Sequence, residues 1–169
     1  AKSMANGYAM AAILGTEEVM QAAQSTFVSS TNWTERVGPT AALETLKKYQ
    51  ETQTDKHIIS IGNKTQQIWR DAALKASLQV DVTGLPTLSA FGFKSDKSME
   101  LNTRFSIEML QRGFLGFRQF KPSLAHGDAE LNKYKNAVED VFLLLSKLPN
   151  DEIISSPVAH TGLHRLTKE

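Results

Sequence analysis

Two short segments near the amino end carry residue types that could do chemistry, and the first is built around Lys2. This lysine directly precedes a stretch that contains Gly7 and then the apolar run at residues 8–14. A lysine just before a glycine-containing turn and a predicted buried strand could be positioned over a pocket. The position alone nevertheless favours an ordinary solvated lysine close to the chain end.

The second segment is the polar loop at residues 29–34, which ends on Thr34. It comes just before a long helix that we predict to begin near Gly38 and Pro39, since proline suits the first helical turn. Hydroxyl groups and free backbone N–H groups at a helix N-terminus can bind a phosphate. An ordinary loop with a capping hydroxyl explains the same residues, and the spacing alone favours that interpretation.

The composition narrows the classes of function. The 169 residues include 19 Lys and Arg and 18 Asp and Glu, a net charge of +1, which gives no electrostatic reason to expect nucleic acid or an anionic membrane as a partner. The absence of cysteine excludes thiolate metal sites and cysteine nucleophiles, and it fits a reducing compartment. No apolar run approaches the roughly 18 residues of a membrane span, and the histidines show no metal-ligand spacing with carboxylates. We therefore predict a cytoplasmic protein with no metal site.

The pattern at residues 54–148 predicts a small α+β domain with a short antiparallel sheet and helices on one face. Apolar residues at spacings of three and four predict a helix after the polar linker at residues 51–55. Two strands, at residues 78–82 and 88–93, precede a helix that ends at Gly113. We predict a third strand at 114–117, a final helix that opens at Asp128, and a loosely ordered tail from residue 149.

The secondary structure that we predict for residues 1–53 cannot form a complete hydrophobic core by itself. The apolar run at 8–14 predicts a buried strand, and Thr16 predicts the N-cap of a short helix that ends near residue 23. With the long helix that begins near Gly38, this makes one strand and two helices without a sheet partner. We therefore expect these residues to be part of something larger.

Taken together, these segments resemble the class III pyridoxal-phosphate (PLP)-dependent aminotransferases. In that family a lysine is followed by a glycine-containing turn and an apolar strand that ends in glycine, as at residues 2–15 here. A threonine that precedes an Asn-Pro or Gly-Pro pair and an alanine-rich helix matches residues 34–43. Residues 115–126 and the helix at Asp128 are similar to the family's last strand and helix. The glutamate-1-semialdehyde 2,1-aminomutase branch is the most similar, and the resemblance extends to about residue 148.

The resemblance implies an α/β fold, the C-terminal part of a fold type I PLP-dependent transferase. Residues 1–53 would be the end of the large PLP-binding domain with its long interdomain helix, and residues 54–148 would be the small domain, followed by the tail at 149–169. The family's N-terminal part, with the cofactor contacts that lie upstream of the lysine, would be a missing piece of the same enzyme. We therefore expect this chain alone to be inactive.

The resemblance also implies site residues and partners. Lys2 would form a Schiff base with PLP during amino transfer between an amino-acid or amino-aldehyde substrate and a keto acceptor. Thr34 would bind the cofactor phosphate across the subunit interface of a homodimer, although Trp33 stands where the family often has glycine. Arg118 lies where some members hold a substrate carboxylate with an arginine, and a surface or dimer contact is the alternative for it.

Two other interpretations remain open at this point. The chain could be a catalytically silent α+β interaction module derived from such an enzyme. It could also be a self-contained binding domain whose resemblance to the family is fortuitous.

Overall fold

A computed structural model describes the protein at residues 3–29, 31–149, 152–154 and 157–159. The chain divides into two units, Ala1–Asp55 and Lys56–Glu169. None of the helices in these described ranges is both long enough and apolar enough to cross a bilayer.

In the described part of the first unit, the regular structure is helical. Helix α1 (Glu17–Met20) starts directly after Thr16, as predicted, and continues as a 3-10 turn at Gln21–Ser25. Helix α2 spans Val37–Glu51. Pro39 therefore lies in the first turn of α2, where a missing backbone N–H breaks no helical hydrogen bond.

The strand that we predicted at residues 8–14 is absent, so that prediction was wrong. Residues 10–16 have no regular secondary structure, and the side chains of Tyr8 and Leu14 are 58% and 88% exposed. A strand exists only when neighbouring strands accept and donate its backbone hydrogen bonds. The described part of the first unit contains no strand that could pair with this run. The apolar side chains indicate that this segment should be buried, but they do not provide the neighbouring strand with which it would pair.

Helix α3 (Thr54–Lys75) leads into the second unit, whose elements follow the predicted order. Besides a 3-10 turn at Pro86–Leu88, its described residues form three strands and two further α-helices: β1 (Val80–Thr83), β2 (Ser89–Phe93), α4 (Ser98–Gln111), β3 (Gln119–Phe120) and α5 (Asp128–Leu145). The strands form one antiparallel sheet with β2 in the centre. Val80 lies opposite Phe93 in the first pair, and Ser89 lies opposite Phe120 in the second.

The core of the second unit lies between one face of this sheet and the three long helices. The ring of Phe91 in β2 lies 4.9 Å from Trp69 of α3 and 5.1 Å from Phe105 of α4, measured between centroids. It also lies 5.5 Å from Phe142 of α5. All four side chains are buried, and tilted or edge-on ring pairs of this kind are favourable beyond the area that they bury. One strand residue therefore contacts all three helices.

The third strand lies later in the chain than the predicted 114–117. That segment packs against the end of α4, where the Phe114 N–H donates to the Met109 carbonyl at 2.9 Å. A Cβ on Gly116 would lie only 2.6 Å from the Cβ of Met109, so the chain can approach α4 this closely only with glycine here. The contact with α4 removes residues 114–117 from the sheet, and pairing with β2 begins at Gln119.

Two described pieces of the segment at 149–169 pack against the rest of the second unit. Ile153 is 4% exposed and belongs to the main hydrophobic cluster, and its carbonyl accepts a hydrogen bond from Arg104 at 3.4 Å. The Ala159 N–H donates to the hydroxyl of Thr103 at 3.0 Å. Both contacts are made with α4.

A nearly buried carboxylate joins two arginines on α4. Glu108, whose side chain is 7% exposed, accepts hydrogen bonds from Arg104 Nε at 2.9 Å and Arg112 Nη1 at 2.7 Å. Burial acts to raise the pKa of Glu108, but the hydrogen bonds and positive charges of Arg112 and Arg104 outweigh it, so that the pKa lies below its ordinary value.

We expect Glu108→Gln to lower the free energy of unfolding by about 1–3 kcal/mol at neutral pH, because it leaves two guanidinium groups without their shared carboxylate. Since the pKa is lowered by folding, Glu108 stabilises the folded state above its unfolded-state pKa, and this contribution is lost as the pH falls through the folded-state value. Urea unfolding at a series of pH values should show the difference between wild type and variant narrowing in acid. A difference that stays constant into strong acid would contradict the assignment. The matched control is Glu100→Gln on the same helix, for which we expect a change within about 0.5 kcal/mol.

Candidate functional site

Lys2 lies outside the described residues, so its role as the reactive amine remains a prediction. The residues that follow it form the expected glycine-containing turn. The Asn6 N–H donates to the Ser3 carbonyl at 3.1 Å, and the Tyr8 N–H donates to the Ala5 carbonyl at 3.2 Å. Asn6 and Gly7 both have positive φ angles, 47° and 107°. The backbone therefore reverses direction directly after the lysine.

Thr34 lies in a turn just before helix α2. The Glu35 N–H donates to the Asn32 carbonyl at 3.2 Å and closes this turn. The Thr34 side chain is exposed, and its hydroxyl has no hydrogen-bond partner among the residues that the structure describes. Arg36 occupies the N-cap of α2. The chain therefore places the free hydroxyl of Thr34 and the guanidinium group of Arg36 next to the N-terminus of α2.

The start of α2 packs directly on the segment that follows the Lys2 turn. A Cβ on Gly38 would lie 2.3 Å from the carbonyl oxygen of Ala9, so this approach requires glycine. Within the first unit, the structure thus brings the chain that continues from Lys2 into contact with the helix that Thr34 precedes.

A cavity of about 820 Å³ lies beside the same loop in the first unit. Its polar wall comes from Gln24, Ser29, Asn32 and Glu35, and the apolar surface includes Trp33 and Pro39. Pockets that hold small molecules have volumes of roughly 300–1,000 Å³, so this space is large enough for one.

Arg118 belongs to the second unit and lies immediately before β3. Its carbonyl accepts a hydrogen bond from the Phe91 N–H at 2.9 Å, which fixes the backbone against the sheet. Its guanidinium carbon lies 5.7 Å from the centre of the Phe117 ring, within the range of a cation–π contact.

The other arginines described between residues 56 and 149 all donate side-chain hydrogen bonds. Arg70 donates to Gln66, and Arg104 and Arg112 both donate to Glu108. No acceptor is found for the Arg118 side chain in the described part of the chain. Arg118 therefore has its full forked set of donors available for an anion.

His126 orders the loop between β3 and α5. Its Nδ1 accepts a hydrogen bond from the Ser123 backbone N–H at 3.0 Å, and its backbone carbonyl lies 3.0 Å from Nε2 of His57. Its ring lies 5.0 Å from that of Phe120. These contacts are structural. In the described residues, no group of three or more His, Asp or Glu side chains is placed to hold a metal ion.

The chain is similar to curated aminotransferases. It is 28% identical to 3-aminobutyryl-CoA aminotransferase of Cloacimonas acidaminovorans (strain Evry), over an alignment that covers 74% of this chain and 33% of that protein. It is 27% identical to aminopentol aminotransferase of Sphingopyxis macrogoltabida, over 66% of this chain and 26% of that protein. No family model matches the chain.

The fold is similar to that of the FumI protein of Sphingopyxis sp. MTA144, whose structure was solved in its PLP internal aldimine form. The TM-score is 0.74 at 23% identity, and the match covers 84% of this chain and 35% of that one. The chain has the fold of part of a fold type I PLP-dependent transferase. This transferase fold confirms the predicted fold class, and the curated relatives confirm the predicted resemblance to aminotransferases.

The matches include most of this chain but only a minor part of each matched protein. The matches cover 26–35% of the length of these proteins and 66–84% of this chain. A C-terminal portion of a longer aminotransferase gives a match of this kind.

Three features of the site were missed by reasoning from the sequence. Arg36 at the N-cap of α2 was not singled out, although a cation next to a predicted phosphate ligand was a usable signal. Gly38 was used only as a helix-start signal, and its contact with Ala9 is a tertiary feature. The free guanidinium of Arg118 could not be recognised, because a sequence does not show which arginines are paired.

Proposed function

We propose that this chain is the C-terminal part of a PLP-dependent class III aminotransferase or aminomutase. The enzyme would move an amino group between an amino-acid or amino-aldehyde substrate and a keto acceptor. The observation that carries the proposal is the likeness of the fold to a PLP-containing protein over 84% of this chain, and the curated aminotransferase relatives agree with it. When bound, PLP supplies an aldehyde that reacts with amines and a ring that stabilises negative charge on the substrate α-carbon.

Lys2 is the residue that we propose as the covalent anchor and proton carrier. The turn at residues 3–8 and the contact of Ala9 with Gly38 hold the backbone next to it in place. A lysine amine can bond to an aldehyde, and once released and unprotonated it can move a proton between the substrate α-carbon and C4′ of the cofactor. An arginine cannot do so, because its guanidinium keeps its proton.

Thr34 is the proposed ligand of the cofactor phosphate, in the neighbouring subunit of a homodimer. Its exposed hydroxyl precedes the N-terminus of α2, and Arg36 adds positive charge at the cap. Hydroxyl, backbone N–H and guanidinium donors suit a phosphate dianion. The described residues therefore fit the group that the relatives imply.

We expect Thr34→Ala to weaken cofactor binding by the intact enzyme about tenfold, the usual effect of losing one hydrogen bond to a charged group. Thr34→Ser keeps the hydroxyl and should retain most of the affinity. The measurement is a titration of cofactor-free enzyme with PLP, followed by absorbance. Equal affinity for wild type and Thr34→Ala would remove Thr34 from the site.

Arg118 is the proposed ligand of a substrate carboxylate. The support is its unpaired guanidinium and the fixed backbone beside β2. We expect Arg118→Lys to raise KM about tenfold for amino donors that carry a carboxylate, since lysine cannot form the forked contact. Steady-state kinetics with an amino acid and with the matching amine that lacks the carboxylate checks this, because KM for the amine should not change. Parallel changes for both donors would assign Arg118 to a structural or dimer contact.

The apolar surface of the first unit is the basis for the proposed partner, the N-terminal part of the same enzyme. Leu14, Phe27 and Trp33 are 88%, 96% and 70% exposed. Exposed apolar side chains that together form one patch mark sites of contact with another chain or segment. We propose that the missing N-terminal part covers this surface, and that this chain alone has no useful activity.

The function is tested on the full-length gene product. We expect added PLP to produce the absorbance band of the lysine-bound cofactor, and borohydride reduction followed by peptide mapping to place the modification on Lys2. A folded, full-length protein that takes up no PLP would instead support the catalytically silent interaction module.

A further inference from the structure

A second cavity, in the second unit, combines aromatic walls with nitrogen donors. We call this space, of about 300 Å³, the aromatic cavity. Its wall includes four aromatic rings, those of Phe114, Phe117, Phe120 and Tyr134, and three side chains with nitrogen donors, those of Gln119, Lys121 and His126. Its volume is at the lower end of the roughly 300–1,000 Å³ of small-molecule sites. The cavity therefore has room for one ring with a short side arm.

The charge of the wall is positive. Lys121 lines the cavity and makes no ion pair within the described residues. No Asp or Glu is among the described residues of the wall. Arg118, whose guanidinium also has no acceptor in that part of the chain, contacts the Phe117 ring of the same wall. A cavity with this surplus of cations favours an anionic ligand.

His126 adds a nitrogen donor that is held in place. Because the Ser123 backbone N–H donates to Nδ1 at 3.0 Å, Nδ1 carries no proton in this arrangement and the ring proton is on Nε2. No acceptor for Nε2–H is found among the described residues. The same hydrogen bond fixes the ring next to Phe120, so the donor is held in place before any ligand arrives.

The aromatic rings of the wall favour a ligand that itself contains an aromatic ring. Phe120 lies 5.5 Å from Tyr134, and Phe114 lies 5.8 Å from Tyr134, in tilted and edge-on arrangements. The Tyr134 hydroxyl accepts a hydrogen bond from Nε1 of Trp69 at 2.9 Å, and Trp69 is buried in the core and is not part of the cavity wall. The hydroxyl therefore lies on the core side, and the ring of Tyr134 contributes to the wall. Rings at these distances accommodate a further ring in the same offset or edge-on geometry.

We propose that the aromatic cavity binds a small aromatic carboxylate. The carboxylate accepts hydrogen bonds from Lys121 and from Nε2–H of His126, and the ring of the ligand packs among the four aromatic side chains. This site needs no PLP and goes beyond the proposed amino transfer.

The test is a titration of the 169-residue chain with phenylacetate, without cofactor, followed by NMR of the histidine ring protons. The chain has 4 histidines, and the His126→Gln variant assigns the His126 signals by their loss. We expect phenylacetate to shift these signals saturably, and the uncharged isostere phenylacetamide to bind at least about fivefold more weakly. Absence of a shift at tens of millimolar phenylacetate, or equal binding of the amide, would overturn the proposal.

Lys121→Gln and Lys133→Gln form the matched pair of variants. Both residues are exposed and both changes remove one positive charge, but Lys133 does not line the cavity. We expect Lys121→Gln to weaken phenylacetate binding about two- to fivefold, the effect of one exposed ion pair, and Lys133→Gln to leave it unchanged. If both variants weaken binding equally, the effect is one of net charge and the site is refuted. Since no cofactor is present, failure here leaves the proposed amino transfer intact.

Discussion

Replacing Lys2 with arginine in the intact enzyme is expected to lower turnover about a thousandfold or more. The change keeps a positive charge and most of the side-chain length. It removes an amine that can lose its proton and bond to an aldehyde, which a guanidinium group cannot do. Steady-state transamination by the full-length enzyme is the measurement, and Lys2→Ala should lose a similar amount.

The control for this prediction is Lys47→Arg, the same substitution on the exposed surface of α2, which should leave turnover unchanged. Far-UV circular dichroism and urea unfolding would show that the Lys2 variants are folded. Borohydride reduction should fix PLP to the wild-type chain and not to Lys2→Arg. Near-normal turnover by a folded Lys2→Arg enzyme would refute the assignment of Lys2.

The second large effect is on stability, for which Phe91→Ala is expected to cost about 3–5 kcal/mol of unfolding free energy. Phe91 is 2% exposed, and its ring contacts Trp69, Phe105 and Phe142. Truncation would leave a cavity between the sheet and all three long helices.

Urea unfolding followed by Trp69 fluorescence in a Trp33→Phe background measures this loss in the second unit. The matched control is Phe27→Ala, because Phe27 is 96% exposed. We expect the control to change the stability of the chain by less than about 0.5 kcal/mol. If Phe91→Ala lowers the unfolding free energy as little as the control does, the aromatic cluster does not stabilise the core of the second unit.

The long helices of the second unit were predictable because their information is local. On α5 the predicted apolar stripe is fully buried: Leu131, Tyr134, Val138, Val141, Phe142 and Leu145 are all at most 7% exposed. A helix forms hydrogen bonds within its own residues, so spacing alone specifies both the element and its buried face. The predicted start at Asp128 is confirmed for the same reason.

The strands were less predictable because their hydrogen-bond partners are distant in sequence. Residues 8–14 have the apolar character of a buried strand and find no partner in the described part of their unit. Residues 114–117 are displaced from the sheet by the contact between Gly116 and Met109. Apolar character indicates that a segment should be buried, but the pairing depends on the rest of the fold.

For the candidate site, the sequence by itself determined the residue types and the resemblance that links Lys2, Thr34 and Arg118 to one chemistry. Only the tertiary structure decided that Ala9 contacts Gly38, that the Arg118 guanidinium has no acceptor among the described residues, and that Lys121 and His126 line one aromatic cavity. Residue types and local motifs are present in the sequence itself. Pairing and enclosure depend on which distant residues fill the surrounding space, and packing of the whole unit sets that.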